Sequence, residues 1–174
     1  MAKKGLDKGD IISTMFLRLG KNTAYNDDKS EQYITAEKLL DSIVDRVGKD
    51  TSFLFNSITT KLTKNGTNDF GENRFNLPID YLNIIRASAK YRLENEFLYS
   101  EENEISIQYC RKIILSEFPE NLKDYIILSL CQDMSLAFNA YQDRYTLFYG
   151  EVEKERKKII NQQGFNFNPF GVEE

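Results

Sequence analysis

Apolar residues recur at the three- to four-residue spacing of helices in the first and last thirds of the chain. The first such stretch predicts a helix from Asp7 to Leu19, with Asp7 as its N-cap and Gly20 after its end. A second helix is predicted from Ser30 to Val47, with Gly48 just past its end. The predicted apolar faces are Ile11, Ile12, Met15, Phe16 and Leu19 in the first helix, and Tyr33, Ala36, Leu40, Ile43, Val44 and Val47 in the second.

The middle of the chain changes to the two-residue alternation of β-strands. A strand is predicted from Thr51 to Thr63, followed by a turn at Asn65–Gly71. Residues 74–78 are expected to be extended, since a residue before proline is pushed out of the helical region. Further strands are predicted at residues 84–87, 90–93, 97–99 and 104–109, with a charged turn at 94–96.

The last third returns to helical spacing. A long helix is predicted to begin at Ser116–Pro119, and a fourth helix to run from about Tyr141 to Asn161. The predicted fold class is therefore mostly α with a β-insert (α+β). It has a four-helix bundle core from residues 7–50 and 116–162. A small antiparallel β-insert at 51–115 lies between helices 2 and 3, and residues 163–174 form an extended C-terminal arm.

The charge balance argues against a protein that grips nucleic acid. The net charge is −4 and the pI is about 5.1, whereas binding to DNA phosphates requires clustered lysine and arginine. The lysines and arginine at 154–158 alternate with glutamates, which is typical of a solvated helix face. No apolar run approaches the roughly 20 residues that a membrane span requires. Contact with a membrane is therefore not expected.

Most of the side chains on which enzymes depend are missing from the sequence. It contains no histidine, the commonest general base and metal ligand. It also has no Cys-x-x-Cys motif and no glycine-rich phosphate loop. Glu101, Glu102 and Glu104 predict a solvated polar turn, with a metal site as the alternative. Cys110 and Cys131 each lie in an apolar segment, which favours reduced core thiols over a disulfide or a reactive thiol. A protein that is not an enzyme and needs no cofactor is expected.

The C-terminal segment carries three phenylalanines separated by asparagine and proline: Phe165, Phe167 and Phe170. This pattern does not predict a helix, and two interpretations stay open. The segment either packs on its own subunit, or it docks its aromatic side chains into a neighbouring protein. The three phenylalanines are therefore the candidate partner-binding residues.

Several motifs resemble, in order, those of the phage head-to-tail adaptor family, which includes the tail tubular protein A proteins of short-tailed phages. Residues 75–82 (Phe-Asn-Leu-Pro-Ile-Asp-Tyr-Leu) and 84–87 (Ile-Ile-Arg-Ala) resemble its "Y-x-L-P-x-D-F-L-R-I-I-R-V" stretch. Residues 105–109 resemble its last strand, and residues 117–125 resemble the start of its long helix. Residues 9–12 and 17–20 are similar to its first helix. The chain lacks the tryptophan that the family often has before the first strand, where this sequence has Phe53 and Phe55.

The resemblance implies a structural virion protein that forms a ring, in the family a dodecamer, between portal and tail. The implied partners are the portal protein, a tail nozzle, tail tube or further ring protein, tail fibres, and other copies of this chain. Genomic DNA would pass through the lumen without sequence-specific binding. The protein would be assembled in the bacterial host cytoplasm and located in the virion connector. The β-insert around Leu93–Ile107 would face neighbouring subunits or tail proteins.

Two other classes of function remain as alternatives. A small helical nucleic-acid-binding or regulatory protein would need a basic face, which the interleaved charges do not supply. A carboxylate metal-dependent hydrolase would need Mg²⁺ or Mn²⁺ at the Glu101–Glu104 cluster.

Overall fold

The computed structural model describes residues 5–21 and 30–163, which hold four α-helices and seven short β-strands. The α+β class with a β-insert between the second and third helices is confirmed. The described chain divides into a helical unit, residues 5–21, 30–47 and 113–163, and a β-unit, residues 48–112. The helices are α1 (Lys8–Arg18), α2 (Glu31–Lys49), α3 (Lys123–Ala137) and α4 (Tyr145–Gln162). The strands are β1 (Ser57–Lys61), β2 (Lys64–Thr67), β3 (Asn73–Asn76), β4 (Tyr81–Ala87), β5 (Arg92–Glu94), β6 (Phe97–Ser100) and β7 (Ser106–Arg111).

Helix α3 is the most buried element of the helical unit. Nine of its 15 residues are buried, as expected for a helix that is covered on more than one side. The other helices bury a single stripe each. These stripes are Ile11, Ile12, Met15 and Phe16 in α1, Ala36, Leu40, Ile43 and Val47 in α2, and Phe148, Val152 and Ile159 in α4.

The predicted cap and end of the first helix are present, and the second helix begins close to its predicted start. The carboxylate of Asp7 accepts a hydrogen bond from the Asp10 N–H at 2.9 Å, and Gly20 follows α1 with φ of +80°. The hydroxyl of Ser30 accepts from the Tyr33 N–H at 3.1 Å at the start of α2. The predicted end of α2 was wrong, because the helix continues through Gly48 to Lys49. Gly48 is buried inside the helix, and its carbonyl accepts a hydrogen bond from the Asn56 side chain.

The predicted start of the third helix was also wrong. Residues 115–117 and 120–122 form two short 3-10 turns, and α3 begins only at Lys123. Phe118 has a ψ of 139°, the extended conformation that a following proline imposes. The fourth helix likewise begins at Tyr145, after a 3-10 turn at Asn139–Arg144 that buries Tyr141.

The β-unit contains two antiparallel sheets. The three-stranded sheet has the order β1-β7-β4, and the four-stranded sheet has the order β2-β3-β6-β5. The alternation predicted for residues 104–109 is confirmed, since Ile105, Ile107 and Tyr109 all point into the core. The buried cluster of this unit consists of Leu62, Phe75, Leu98, Ile105, Ile107 and Tyr109.

Two predictions for this region need correction. The first strand runs over residues 57–61 rather than 51–63, because Asp50 starts a turn: its carboxylate accepts from the Ser52 N–H at 2.9 Å. The Phe53 N–H donates to the Asp50 carbonyl within the same turn, and Phe53 is buried. The predicted turn at 65–71 is shorter than expected, because residues 64–67 form strand β2.

Candidate functional site

Two segments were predicted to contact partners: the C-terminal arm and the β-insert around Leu93–Ile107. Only the second lies within the described residues, and it is only partly exposed. Phe165, Phe167 and Phe170 lie outside the described residues, so their role stays a prediction. Within the stretch 93–107, Leu93 is 43% exposed. Leu98, Ile105 and Ile107 are buried in the core of the β-unit, so these three side chains are not available to a partner.

Two large hydrophobic side chains of the β-unit are almost completely exposed. Phe70 is 89% exposed and Ile79 is 107% exposed relative to its reference state. Each occupies a turn next to strand β3: Phe70 lies before its first residue and Ile79 after its last. They therefore mark opposite ends of the four-stranded sheet. Phe70 was predicted to lie in the 65–71 turn, and Ile79 lies in the 75–82 stretch that resembles the adaptor family; neither side chain was singled out from the sequence.

The turn that carries Phe70 is held by one asparagine. The side-chain oxygen of Asn68 accepts hydrogen bonds from the N–H groups of Phe70 at 3.1 Å and Glu72 at 2.9 Å. Its side-chain nitrogen donates to the Glu72 carboxylate at 2.7 Å. Its carbonyl accepts from the Gly71 N–H at 3.1 Å, and Gly71 has the positive φ, +84°, that glycine adopts without strain. Phe70 thus projects from a fixed backbone.

An arginine connects this turn to the edge strand β5. Arg92 forms ion pairs with Glu72, at 2.7 Å, and with Glu94. Its guanidinium carbon lies 4.8 Å from the centroid of the Tyr99 ring, a cation–π contact. The hydrogen bonds from Arg92 and then from Asn68 lower the pKa of Glu72 below its ordinary value. The planar guanidinium of Arg92 thus contacts both the Glu72 carboxylate and the Tyr99 ring, and these contacts join the turn to β5 and β6.

The turn that carries Ile79 is anchored on both sides. The Tyr81 N–H donates to the Pro78 carbonyl at 3.0 Å. The Asp80 carboxylate accepts from the Tyr109 hydroxyl at 2.9 Å. Burial, reinforced by this bond, raises the pKa of Tyr109 to about 12. Residues 77–81, which belong to the motif that resembles the adaptor family, thus form a turn that is hydrogen-bonded to β7. This turn leaves Ile79 exposed to solvent.

A groove opens beside Ile79. It has a volume of about 610 Å³ and runs between the Ile79 turn and the β5–β6 turn. Its apolar wall consists of Leu77, Pro78, Ile79, Tyr81 and Phe97, and its polar residues are Asn65, Asn76, Asn95 and Glu96. A concave, partly apolar surface beside an exposed side chain is typical of a protein contact site.

The two ends of the four-stranded sheet carry different charges. At the Phe70 end, Asp69, Glu101 and Glu102 are exposed. The side-chain nitrogen of Asn73 holds the Glu101–Glu102 loop there by donating to its carbonyls at 3.3 and 2.8 Å. The groove end carries Lys64 and Arg74, the latter with its guanidinium carbon 4.9 Å from the Phe97 ring centroid.

The residues singled out for chemistry have structural surroundings. Glu104 forms an ion pair with Lys61 at 2.6 Å. Across residues 5–21 and 30–163, no group of three His, Cys, Asp or Glu side chains is arranged to hold a metal ion. Cys110 and Cys131 are free and buried, which confirms their predicted position in the core. Burial raises the pKa of their thiols to about 11 and about 12.

Comparison of the sequence with models of known protein families gives no match, and comparison with curated proteins gives none either. None of the helices in the described part of the chain combines the length and apolar character needed to cross a bilayer.

Proposed function

We propose that this chain is a structural virion protein, the subunit of a head-to-tail adaptor ring in a tailed bacteriophage. Copies of the chain would form a ring, dodecameric as in the family it resembles, between the portal and the tail. The portal protein would lie on one side of the ring, and a tail nozzle, tail tube or tail fibre protein on the other. The acidic chain would line a channel through which DNA passes without being held.

The motifs of the resemblance support this proposal by their order along the chain. They occur at residues 9–20, 75–87, 105–109 and 117–125, in the same order as in the adaptor family. In the structure these stretches include α1, the corner between β3 and β4, strand β7 and the start of α3. Each motif is short, and their common order along the chain supports the resemblance.

The single observation that carries the proposal is the pair of exposed hydrophobic side chains, Phe70 and Ile79. These are the two most exposed large hydrophobic side chains among the described residues, and Ile79 borders the partly apolar groove, so that turn and groove together form an apolar surface of the kind that contacts proteins. Hydrogen bonds fix the backbone of both turns, so each side chain is exposed by an ordered turn. Two different contact surfaces at opposite ends of one sheet are what a ring subunit requires, because each copy must contact two neighbours.

The alternatives receive less support. A nucleic-acid-binding protein would place basic residues together, whereas the Phe70 end carries Asp69, Glu101 and Glu102. A metal-dependent hydrolase would use the glutamates at 101–104, of which Glu104 is paired with Lys61.

A sedimentation experiment tests the proposal. The purified protein is mixed with the portal protein encoded in the same genome, and the mixture is separated on a density gradient. We expect the protein to move with the heavy portal fraction. A matched experiment replaces the portal with duplex DNA over a series of salt concentrations, where a nucleic-acid-binding protein would show steep salt dependence. Co-sedimentation with DNA and not with portal would contradict the adaptor proposal.

The predicted arm is tested in the same gradient. A variant with Phe165, Phe167 and Phe170 all replaced by alanine should sediment with the portal less than the parent protein. If the triple variant binds the portal as well as the parent, the arm is not the docking element and the adaptor proposal stands without it.

A further inference from the structure

The two ends of the four-stranded sheet present a hydrophobic side chain and a groove that could accept one. We propose that Phe70 of one copy inserts into the groove beside Ile79 of the next copy, joining β-units head to tail. This inference rests on the proposed ring assembly and identifies the contact between its subunits.

The groove has the size and lining to receive an aromatic side chain. Its volume is about 610 Å³, and Leu77, Pro78 and Phe97 supply apolar walls. A phenylalanine transferred from water to such a surface gains a hydrophobic contribution in proportion to the ring area that the groove covers. Hydrogen bonds from Phe70 and Glu72 to the Asn68 side chain already fix the turn, so docking requires little further ordering.

The exposed charges of the two surfaces are complementary at some positions. Asp69 precedes Phe70 directly, and the exposed Glu101 and Glu102 lie at the same end of the sheet. The groove end carries Lys64 and Arg74, and Arg74 donates to the Asn65 carbonyl at 2.8 Å within the groove wall. The groove side also carries the acidic residues Asp80, Glu94 and Glu96, of which Asp80 is bonded to Tyr109 and Glu94 is paired with Arg92. The Phe70 side also carries the basic residues Lys90 and Arg92. An acidic turn entering a groove with a basic margin fixes the orientation of the contact and disfavours the contact of two like ends.

The geometry of this contact favours a ring over a two-fold dimer. Phe70 and Ile79 lie at opposite ends of β3, so the surface that inserts is different from the surface that receives. Such a contact leaves a pair of copies with one unused Phe70 surface and one unused groove, so further copies can add. A ring forms when the rotation between successive copies brings the last copy back to the first, and an open filament forms when it does not.

Engineered disulfides between copies test the contact directly. The full chain is made with Phe70→Cys and Asn95→Cys together, since Asn95 lines the groove. It is assembled on the portal and oxidised, and the products are separated on a denaturing gel without reductant. We expect a ladder of covalent dimers, trimers and larger products. The native Cys110 and Cys131 are buried and should not contribute.

The control pair replaces the groove position with an exposed residue of the helical unit. Phe70→Cys with Lys38→Cys should give no ladder, since Lys38 lies on the exposed face of α2. A portal-bound protein without a ladder from the first pair would overturn the Phe70 contact and leave the adaptor function standing. Equal ladders from both pairs would also overturn it. If the unmodified protein does not bind the portal, both proposals fall.

Charge reversal provides a second, independent measurement. Asp69→Lys and Lys64→Asp should each raise the concentration needed to load the portal by roughly tenfold, and combining the two on one chain should restore loading. Both positions are exposed, so neither change should unfold the protein. If the double variant loads no better than the single variants, the proposed pairing of the two ends is wrong.

Discussion

A buried asparagine joins two distant parts of the β-unit, and its removal should lower stability strongly. Asn56 is 2% exposed. Its side-chain nitrogen donates to the carbonyls of Gly48 at 2.8 Å and Arg111 at 2.9 Å. Its own carbonyl accepts from the Arg111 N–H at 3.0 Å. The residue therefore links the C-terminal end of α2 to the end of β7.

The magnitude follows from the two donated bonds. Asn56→Ala removes the hydrogen bonds to the carbonyls of Gly48 and Arg111, which are buried or partly buried. Each carbonyl left without its donor lowers the free energy of unfolding by about 1–3 kcal/mol. A smaller opposing contribution arises because the side-chain oxygen of Asn56 has no hydrogen-bond partner among the described residues. Deleting that oxygen recovers part of its desolvation free energy. We expect a net loss of about 2–4 kcal/mol in the free energy of unfolding, or roughly 5–15 °C in Tm.

Urea denaturation followed by far-ultraviolet circular dichroism and by tyrosine fluorescence measures this loss. Asn121→Ala is the matched control, because that side chain is exposed and should change stability by less than about 0.5 kcal/mol. If Asn56→Ala is no less stable than this control, the two hydrogen bonds do not hold the β-unit together as described.

Three further predictions concern single groups. The thiols of Cys110 and Cys131 should resist a thiol reagent in the native protein and react once it is denatured, because both are buried with raised pKa values; rapid native reaction would show that one is accessible. The pKa of Tyr109 is raised from 10.0 to about 12, so its contribution to stability is present below pH 10 and is lost as the pH rises through 12. The tyrosinate absorbance of the parent minus that of Tyr109→Phe should therefore titrate near 12, and a midpoint near 10 would contradict the burial of the Tyr109 hydroxyl and its bond to Asp80. Asp7→Ala should lower the free energy of unfolding by about 1 kcal/mol through loss of the α1 cap, measured by urea denaturation; an unchanged midpoint would mean that the cap contributes nothing.

The regular elements were predictable wherever burial imposes a period on the sequence. Helix α1 has a buried stripe and a capping aspartate, and both are local signals. Apolar and polar residues alternate along strand β7 because one side of the strand packs on the core. The apolar positions Ile105, Ile107 and Tyr109 show this alternation in the sequence.

Elements without such a period were missed or misplaced. Strand β2, with the sequence Lys-Asn-Gly-Thr, is exposed at every position, and its pairing with β3 defines it as a strand. Hydrophobic pattern cannot reveal an edge strand of this kind. The start of α3 was placed too early, because the apolar spacing begins before Pro119 while the backbone there remains extended.

The candidate contact site was largely beyond the reach of the sequence. Phenylalanine and isoleucine are usually core residues, and only the tertiary structure shows that Phe70 and Ile79 are exposed to solvent. A local signal did exist for each: Phe70 lies between Asp69 and Gly71 in a turn, and Ile79 follows a proline. The groove could not be predicted, because it combines residues from β2, β3 and the β5–β6 turn.

Electron microscopy of the assembled complex tests the central claim most directly. The protein is bound to its portal, purified on a gradient and imaged, and the side views and end views are averaged. The adaptor account predicts an additional ring of density coaxial with the portal, with an open channel and a whole number of copies related by rotation. Portal particles that carry no extra density, or scattered single copies without rotational order, would contradict the claim that this chain is a ring-forming adaptor.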